Sequence, residues 1–260
     1  SAVVFGFKWL VDQALRMPGI GREGPDPTAP QQDGAFAAFL RALPPSLPLW
    51  VVLAGAALYT AFFGYHTVVH HRNVLTASLD MGLEDNLVWN TLHGGPLFKS
   101  SPLGGPDASH LGYHATWFSF LLVPLYAIRP NAESLLVIQA ALLGGAAIPL
   151  YLMGKRYVGP YLACGVALAY LLYPGLHGSN LYDFHYLPLG TFFIWFALYF
   201  VEARRWGWVV LFALLALSVR EDVALGLGMA GGFLLLSGRH GRAGMALLIM
   251  GGGYFLMMKG

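Results

Sequence analysis

The chain has 260 residues, of which 57% are hydrophobic and 11% charged, against roughly 25% charged in a typical soluble domain. That composition excludes an ordinary soluble domain, and 7 Trp, 17 Phe and 13 Tyr suffice for aromatic belts at two membrane interfaces. A net charge of +2 with no basic run and no zinc-finger spacing leaves nothing to support nucleic acid as a partner, whereas membrane lipids are required partners of such a surface.

The sequence predicts an all-α fold, a polytopic transmembrane helix bundle of about seven spans. Residues 1–45 form a first unit. In "SAVVFGFKWLVDQALR", Lys8, Asp12 and Arg16 recur at i, i+4 and i+8, one charged stripe on an apolar helix. The stripe suits a helix lying on the cytoplasmic surface, and equally the end of a span lying outside the sequence. No signal peptide is expected, because charges run through residues 1–17 without a small-residue cleavage site. Residues 18–35, "PGIGREGPDPTAPQQDGA", read as a Pro/Gly linker expected to be mobile.

Residues 46–260 form the bundle. A span needs about 20 largely apolar residues, and the candidates are 46–65, 133–153, 158–176, 186–201, 206–219, 223–236 and 243–258. Between the first two lies an outer loop and juxtamembrane segment, 66–132. It contains a further apolar run, 114–128, bounded by His114 and by Arg129-Pro130.

Charge decides whether that run crosses. With the N-terminus cytoplasmic and 114–128 not crossing, Lys155-Arg156, Arg204-Arg205 and Arg239/Arg242 all fall inside. Lys8, Arg16, Arg22 and Arg41 join them, making ten of the 15 basic residues. If the run crosses, all three basic pairs move outside. The run is therefore expected to be interfacial or re-entrant.

The same topology gathers Asp80, Glu84, Asp85, Asp107, Glu133, Asp183, Glu221 and Asp222 on the outer side, with eight of the nine histidines. Polar loops are ordinary, but two groups here are not. Asp183-Phe184-His185 opens a span, and Arg220-Glu221-Asp222 joins two very apolar helices with no loop between them. Charges so near hydrocarbon usually face a bundle interior or an aqueous cavity.

Other motifs are weaker. His66 and His70 lie one helical turn apart and could reach a metal, yet histidines near lipid headgroups are commoner than ligands. Cys164, alone in an apolar run, reads as a small packing residue. Gly228-x3-Gly232 and Gly251-Gly252-Gly253 read as close helix packing rather than a nucleotide loop.

"LDMGLEDNLVWNTLHGGPLF" (79–98), the histidine of "GYHATW", "PLYLMGKRYVG" (149–159), "NLYDFHYLP" (180–188) and "REDVALGLG" (220–228) resemble, in order, motifs of the DUF2079 family of bacterial membrane proteins, itself similar to GT-C glycosyltransferases. The match includes Asp80, Gly82, Asp85, Trp89, Asn90, His93, Gly94, His114, Asp183, Phe184, His185, Glu221 and Asp222, with departures at Met81, Asn86, Tyr113, Thr116-Trp117 and Arg220.

The resemblance implies an enzyme-like bundle in the bacterial inner membrane, with a GT-C-like first outer loop and interfacial juxtamembrane helices. It would pass a sugar from a polyprenyl-phosphate carrier to an acceptor at the outer face. Asp80 is then the candidate general base, with Asp85 its orienting partner or metal ligand. His114, His185, Arg220 and Arg129 are candidates to meet the leaving phosphate. Asp183, Glu221 and Asp222 are candidates to bind sugar hydroxyls, hold histidine tautomers or ligate a divalent cation. Trp89, Phe184 and Tyr113 are candidates to stack on a sugar, and Asn90 stands among the substrate-binding candidates. With no soluble C-terminal domain in this stretch, two alternatives stand beside that one: a scaffold or accessory subunit among other membrane subunits, and a carrier of lipid or polysaccharide precursors.

Overall fold

The computed structural model describes residues 43–99 and 109–259. The expected N-terminal helix and linker, with Arg22, Arg41 and Asp107, lie outside the described residues. Everything described is helix or connection, and no strand occurs among the described residues.

The first helix, α1 (Leu47–Arg72), carries Pro48 in its first turn, where the ring-locked φ suits the helix and the missing N–H is no loss. It buries Val52, Ala56, Tyr59, Phe63 and Thr67, spaced by three or four, and so presents one stripe. That stripe meets α4 (Ala132–Gly145), where a Cβ at Gly144 would lie 3.0 Å from the Ala56 carbonyl oxygen. After a π-helical turn (Ser78–Gly82) and α2 (Leu83–Leu92), the chain resumes in a 3₁₀ turn (His110–Gly112) and α3 (Ser119–Tyr126).

Helix α4 runs on into α5 (Ala147–Val158), an apolar stretch of 27 residues. Of its most apolar window 61% is buried, against 33% for α1, so it is the central strut. Gly159, at φ +78°, stops α5, and Pro160 starts α6 (Pro160–Leu171).

The sequence reading took 158–176 as one span. The chain instead breaks before Pro174, because proline disfavours helical backbone in the residue before it, and α7 (Pro174–Leu181) leaves at 41°. Then follow α8 (Tyr186–Glu202), α9 (Trp206–Val219), α10 (Val223–Leu236) and α11 (Gly241–Lys259).

By length and composition three helical runs can cross a membrane (47–72, 132–158 and 241–259), or four if the bent pair counts as one. Helices α8, α9 and α10 are apolar but shorter, at 17, 14 and 14 residues. At 1.5 Å per residue, 14 residues reach about 21 Å of a hydrocarbon core roughly 30 Å thick. Large apolar side chains stay exposed along the helices, among them Leu58 (70%), Met229 (76%) and Leu256 (70%). Such a surface suits a membrane protein.

The two ends of the bundle differ in chemistry. At one, Arg156 donates to the Glu202 carbonyl (2.7 Å), His240 lies 3.2 Å from Glu202, and Arg239 stacks over Tyr157. At the other, Arg72 binds Glu133 through two hydrogen bonds of 2.7 and 2.9 Å, and Lys259 reaches Glu221 at 2.8 Å. The run 114–128 begins and ends at this second end: His114 meets Glu221, and Tyr126 meets Asp85. It does not traverse the bundle.

Helices α10 and α11 touch backbone to backbone. A Cβ at Gly231 would lie 2.5 Å from Leu248 N, one at Gly244 2.6 Å from Gly231 O, and one at Gly251 2.5 Å from Ala224 O. The pairing read as Gly228-x3-Gly232 is therefore corrected: Gly228 and Gly231 face α11, whereas Gly232 and Gly253 have nothing within 4 Å. The side of a helix that meets its neighbour depends on the rotation of that helix, which the motif spacing leaves open.

Candidate functional site

Five segments converge at the Arg72–Lys259 end. The π-helical turn tucks Met81 (1% exposed) into the core and leaves Asp80 half-exposed beside α2. The Tyr182 hydroxyl donates to Asp80 Oδ2 at 3.2 Å, and His185 Nε2 lies 3.8 Å from Oδ1.

The Asp183-Phe184-His185 segment is held from below by a residue that sequence reasoning missed. Gln139, fully buried on α4, donates to the Asp183 carbonyl (2.9 Å) and accepts from the His185 amide (2.8 Å). A glutamine inside an apolar span was the available signal. Asp183 takes φ +41°, a backbone region in which Asp and Asn are enriched. Its Oδ2 accepts from the Ala77 amide at 2.7 Å, which ties the Asp80 turn to this segment. Phe184 is wholly buried in the core, so it anchors the segment and offers no platform for a sugar ring, correcting that expectation.

Glu221 stands across the site. It is 2% exposed and receives His114 Nδ1 (2.8 Å), the Ala115 amide (2.9 Å) and Lys259 Nζ (2.8 Å). Burial alone pushes its carboxyl upward, but the Lys259, His114 and backbone contacts outweigh burial and hold it at about 2. Glu221 is thus a fixed negative charge. Arg220 Nε lies 2.9 Å from Asp222 Oδ2, near enough for an ion pair but misaligned for a hydrogen bond. His110, its ring 5.6 Å from that of His114, is buried, and desolvation with the adjacent His114 and Arg220 charges lowers it to about 4.

Glu84 sits between the two halves, on the turn of helix after Asp80. Burial raises its carboxyl to about 8, with the Arg220 charge and the Tyr186 hydroxyl opposing the shift and Asp80 adding to it. At neutral pH it is mostly protonated and is a hydrogen-bond donor. The i, i+4 spacing from Asp80 was the signal that could have marked it as a site residue. Lys259, distant in sequence, gave no such signal.

Other candidates point elsewhere. Asp85 accepts from the Tyr126 hydroxyl at 2.6 Å, pinning α2 to α3. Trp89 stacks on His93 with centroids 4.0 Å apart, and the two rings are exposed. Asn90 donates to Asn86 (3.0 Å) and to the Lys99 carbonyl (2.8 Å), closing the turn after α2. Among the described residues no side-chain hydrogen bond, ion pair or ring contact joins Asp85, Trp89 or Asn90 to Asp80 or Glu221. Arg129 is engaged by Glu133 at 3.0 Å. It lines a groove of about 450 Å³ beside α1, α3 and α4 with Tyr65, Val68, Arg72, Leu125 and Val137, apart from the carboxylate–histidine cluster.

Buried polar atoms normally have partners. Here Glu84 Oε2, His110 Nδ1, Thr116 Oγ1, His185 Nδ1 and Arg220 Nε have no hydrogen-bond partner among the described residues, and all five belong to the segments of this cluster. No three His, Cys, Asp or Glu side chains among the described residues are arranged as metal ligands. His66 packs against Phe62 with ring centroids 4.4 Å apart.

A family model described as a predicted membrane protein, DUF2079, matches residues 70–260. No curated protein and no solved structure matches the chain.

Proposed function

For this chain, which belongs to the DUF2079 family of predicted membrane proteins, we propose a GT-C-like role: transfer of a sugar from a polyprenyl-phosphate donor to a hydroxyl acceptor at the outer membrane face. The observation that carries this reading is the set of buried polar atoms from Glu84, His110, Thr116, His185 and Arg220 that have no hydrogen-bond partner among the described residues, all at one end of the bundle. In this reading the bundle makes seven passages (α1, α4–α5, α6–α7, α8, α9, α10 and α11), with the N-terminus cytoplasmic. The convergence of Arg156, Arg239 and His240 at the opposite end supports that orientation by the positive-inside bias.

Asp80 takes the proton of the acceptor hydroxyl, and Tyr182 and His185 fix its orientation. The acceptor oxygen forms a bond to the anomeric carbon as the bond from that carbon to the carrier phosphate breaks, and the phosphate keeps the electron pair. Arg220 and the imidazoles of His114 and His185 meet the charge that develops there. Asp183 and Glu221 position: the first holds the Asp80 turn, and the second holds the tautomer of His114. Asp222 orients Arg220. Asp85, Trp89 and Asn90 brace α2 and the turn that follows it, and the groove beside Arg129 is the place given to the isoprenoid chain.

The alternative, a non-catalytic subunit of a larger membrane complex, is favoured by one observation: Glu221 is already saturated by partners within the chain. Sugar transfer from polyprenyl-phosphate donors by the purified chain in proteoliposomes separates the two. Transfer by wild type that is lost in Asp80→Asn supports the enzyme. No transfer across donors, together with stoichiometric co-purifying subunits, moves the assignment to the scaffold.

A further inference from the structure

The opposite end of the bundle holds two adjoining cavities that no step above uses. One, of about 410 Å³, is walled by Arg204, Trp206, Arg239, His240, Gly241 and Arg242. The other, of about 310 Å³, is an apolar cleft between α5, α8 and α10 with Met153, Trp195, Leu198 and Phe233 in its walls. Arg239 lines both and lies 5.0 Å from the Tyr157 ring, so the cationic mouth and the apolar cleft adjoin at that side chain.

Among the described residues no carboxylate lines the mouth. Among the described residues Arg204 and Arg242 make no ion pair, and both are exposed. The carboxylate at this end, Glu202, is engaged by His240 at 3.2 Å and lines the cleft rather than the mouth. Two helices begin at the mouth, α9 with 14 residues and α11 with 19, and their N-termini add partial positive charge. The positive-inside bias accounts for the arginines lying on one side. It does not account for a cavity built from them against an adjoining apolar cleft.

We propose that this is a binding site for an acidic phospholipid of the leaflet that faces the basic turns. The guanidinium groups of Arg204, Arg239 and Arg242 take the headgroup phosphate, whose oxygens match the planar fork of arginine. One acyl chain descends past Arg239 into the cleft beside Trp195, Leu198 and Phe233. The lipid ties α8 and α10 to the central α4–α5 strut at the end remote from Asp80.

The test uses the full chain in a zwitterionic detergent with phosphatidylglycerol, phosphatidylcholine and water-soluble glycerol phosphate as separate probes. Bound lipid is counted by native mass spectrometry, and affinity is read by titration. One saturable phosphatidylglycerol is expected, with little phosphatidylcholine retained and glycerol phosphate bound much more weakly. Arg204→Gln with Arg242→Gln weakens phosphatidylglycerol binding roughly 20- to 30-fold, the effect of losing two basic contacts near a membrane surface. Arg205→Gln, the loss of one charge at an exposed neighbour outside both cavities, leaves it within about twofold, against the roughly fivefold weakening expected of Arg204→Gln alone. Leu198→Trp fills the cleft and weakens the lipid while leaving glycerol phosphate unchanged. If that variant fails to fold, the arginine comparison decides alone. Equal retention of phosphatidylcholine overturns the proposal, as does an equal loss in Arg205→Gln, which indicates diffuse charge attraction. Glycerol phosphate binding as tightly as the lipid also overturns it, since the site is then one for a soluble anion.

Discussion

Asp80 and Glu221 are both acidic and face the same cluster, yet their surroundings assign them different work. Asp80 is half-exposed with one hydroxyl and one imidazole beside it, which leaves oxygen lone pairs for an incoming proton. Asp80→Asn is expected to lower transfer by about 10²- to 10⁴-fold with the melting temperature nearly unchanged, measured as turnover and thermal unfolding in parallel. Glu221→Gln is expected to lower the melting temperature by several degrees at neutral pH, because it leaves Lys259 and His114 without their charge partner. An unchanged melting temperature removes Glu221 as the tie between α11 and the His114 segment. Glu84 predicts a pH effect. Its carboxyl is raised from 4.5 to about 8 in the fold, so the folded state holds a proton that the unfolded state releases between those values. The stability this supplies is fully present below about 4.5 and is lost as pH rises through 8. Glu84→Gln, a permanent neutral mimic, is expected to raise the melting temperature at pH 8 and to change it little at pH 5. A difference of equal size at both pH values rejects the neutral assignment.

At the scale of elements, the α10–α11 pair is the most intimate contact, and its glycines differ sharply in consequence. A Cβ at Gly231 meets backbone atoms of α11 at 2.5 and 2.7 Å, and backbone cannot swing aside as a side-chain tip can. Gly231→Ala is expected to cost about 1–3 kcal/mol through enforced separation of the helices. Gly232→Ala, one residue on and open on all sides, is expected to be neutral or mildly stabilising, since alanine has the higher helix propensity. Thermal unfolding of the two variants side by side checks this, and equal effects exclude backbone contact as the cause. The α6–α7 break belongs to the same scale: Leu172-Tyr173-Pro174 is apolar enough to read as continuous span, and only the backbone demand of Pro174 bends it.

At the scale of the whole molecule, the two chemically distinct ends predict a topology. Single cysteines at Lys155 and Arg205, in a Cys164→Ala background, are expected to resist membrane-impermeant thiol reagents in intact cells. A cysteine at Tyr113, exposed at the other end, is expected to react. Labelling of Lys155 or Arg205 positions from outside reverses the orientation. The sequence by itself determined the membrane class, the helical architecture, the side on which the basic turns lie relative to Asp80 and Glu221, and the failure of 114–128 to cross. These follow from the length of apolar runs and the order of charges, which any packing of the helices preserves. The tertiary structure alone decided that Gln139 holds the Asp183–His185 segment, that Lys259 closes on Glu221, and that Glu84 lies half-buried near Asp80 and Arg220. It also turned Phe184 into the core and Asp85 toward Tyr126. Each of these depends on how far a helix is rotated about its axis and where its neighbour ends, and such contacts join residues far apart in the chain, as His114 and Glu221 do at a separation of 107, with no local pattern to announce them.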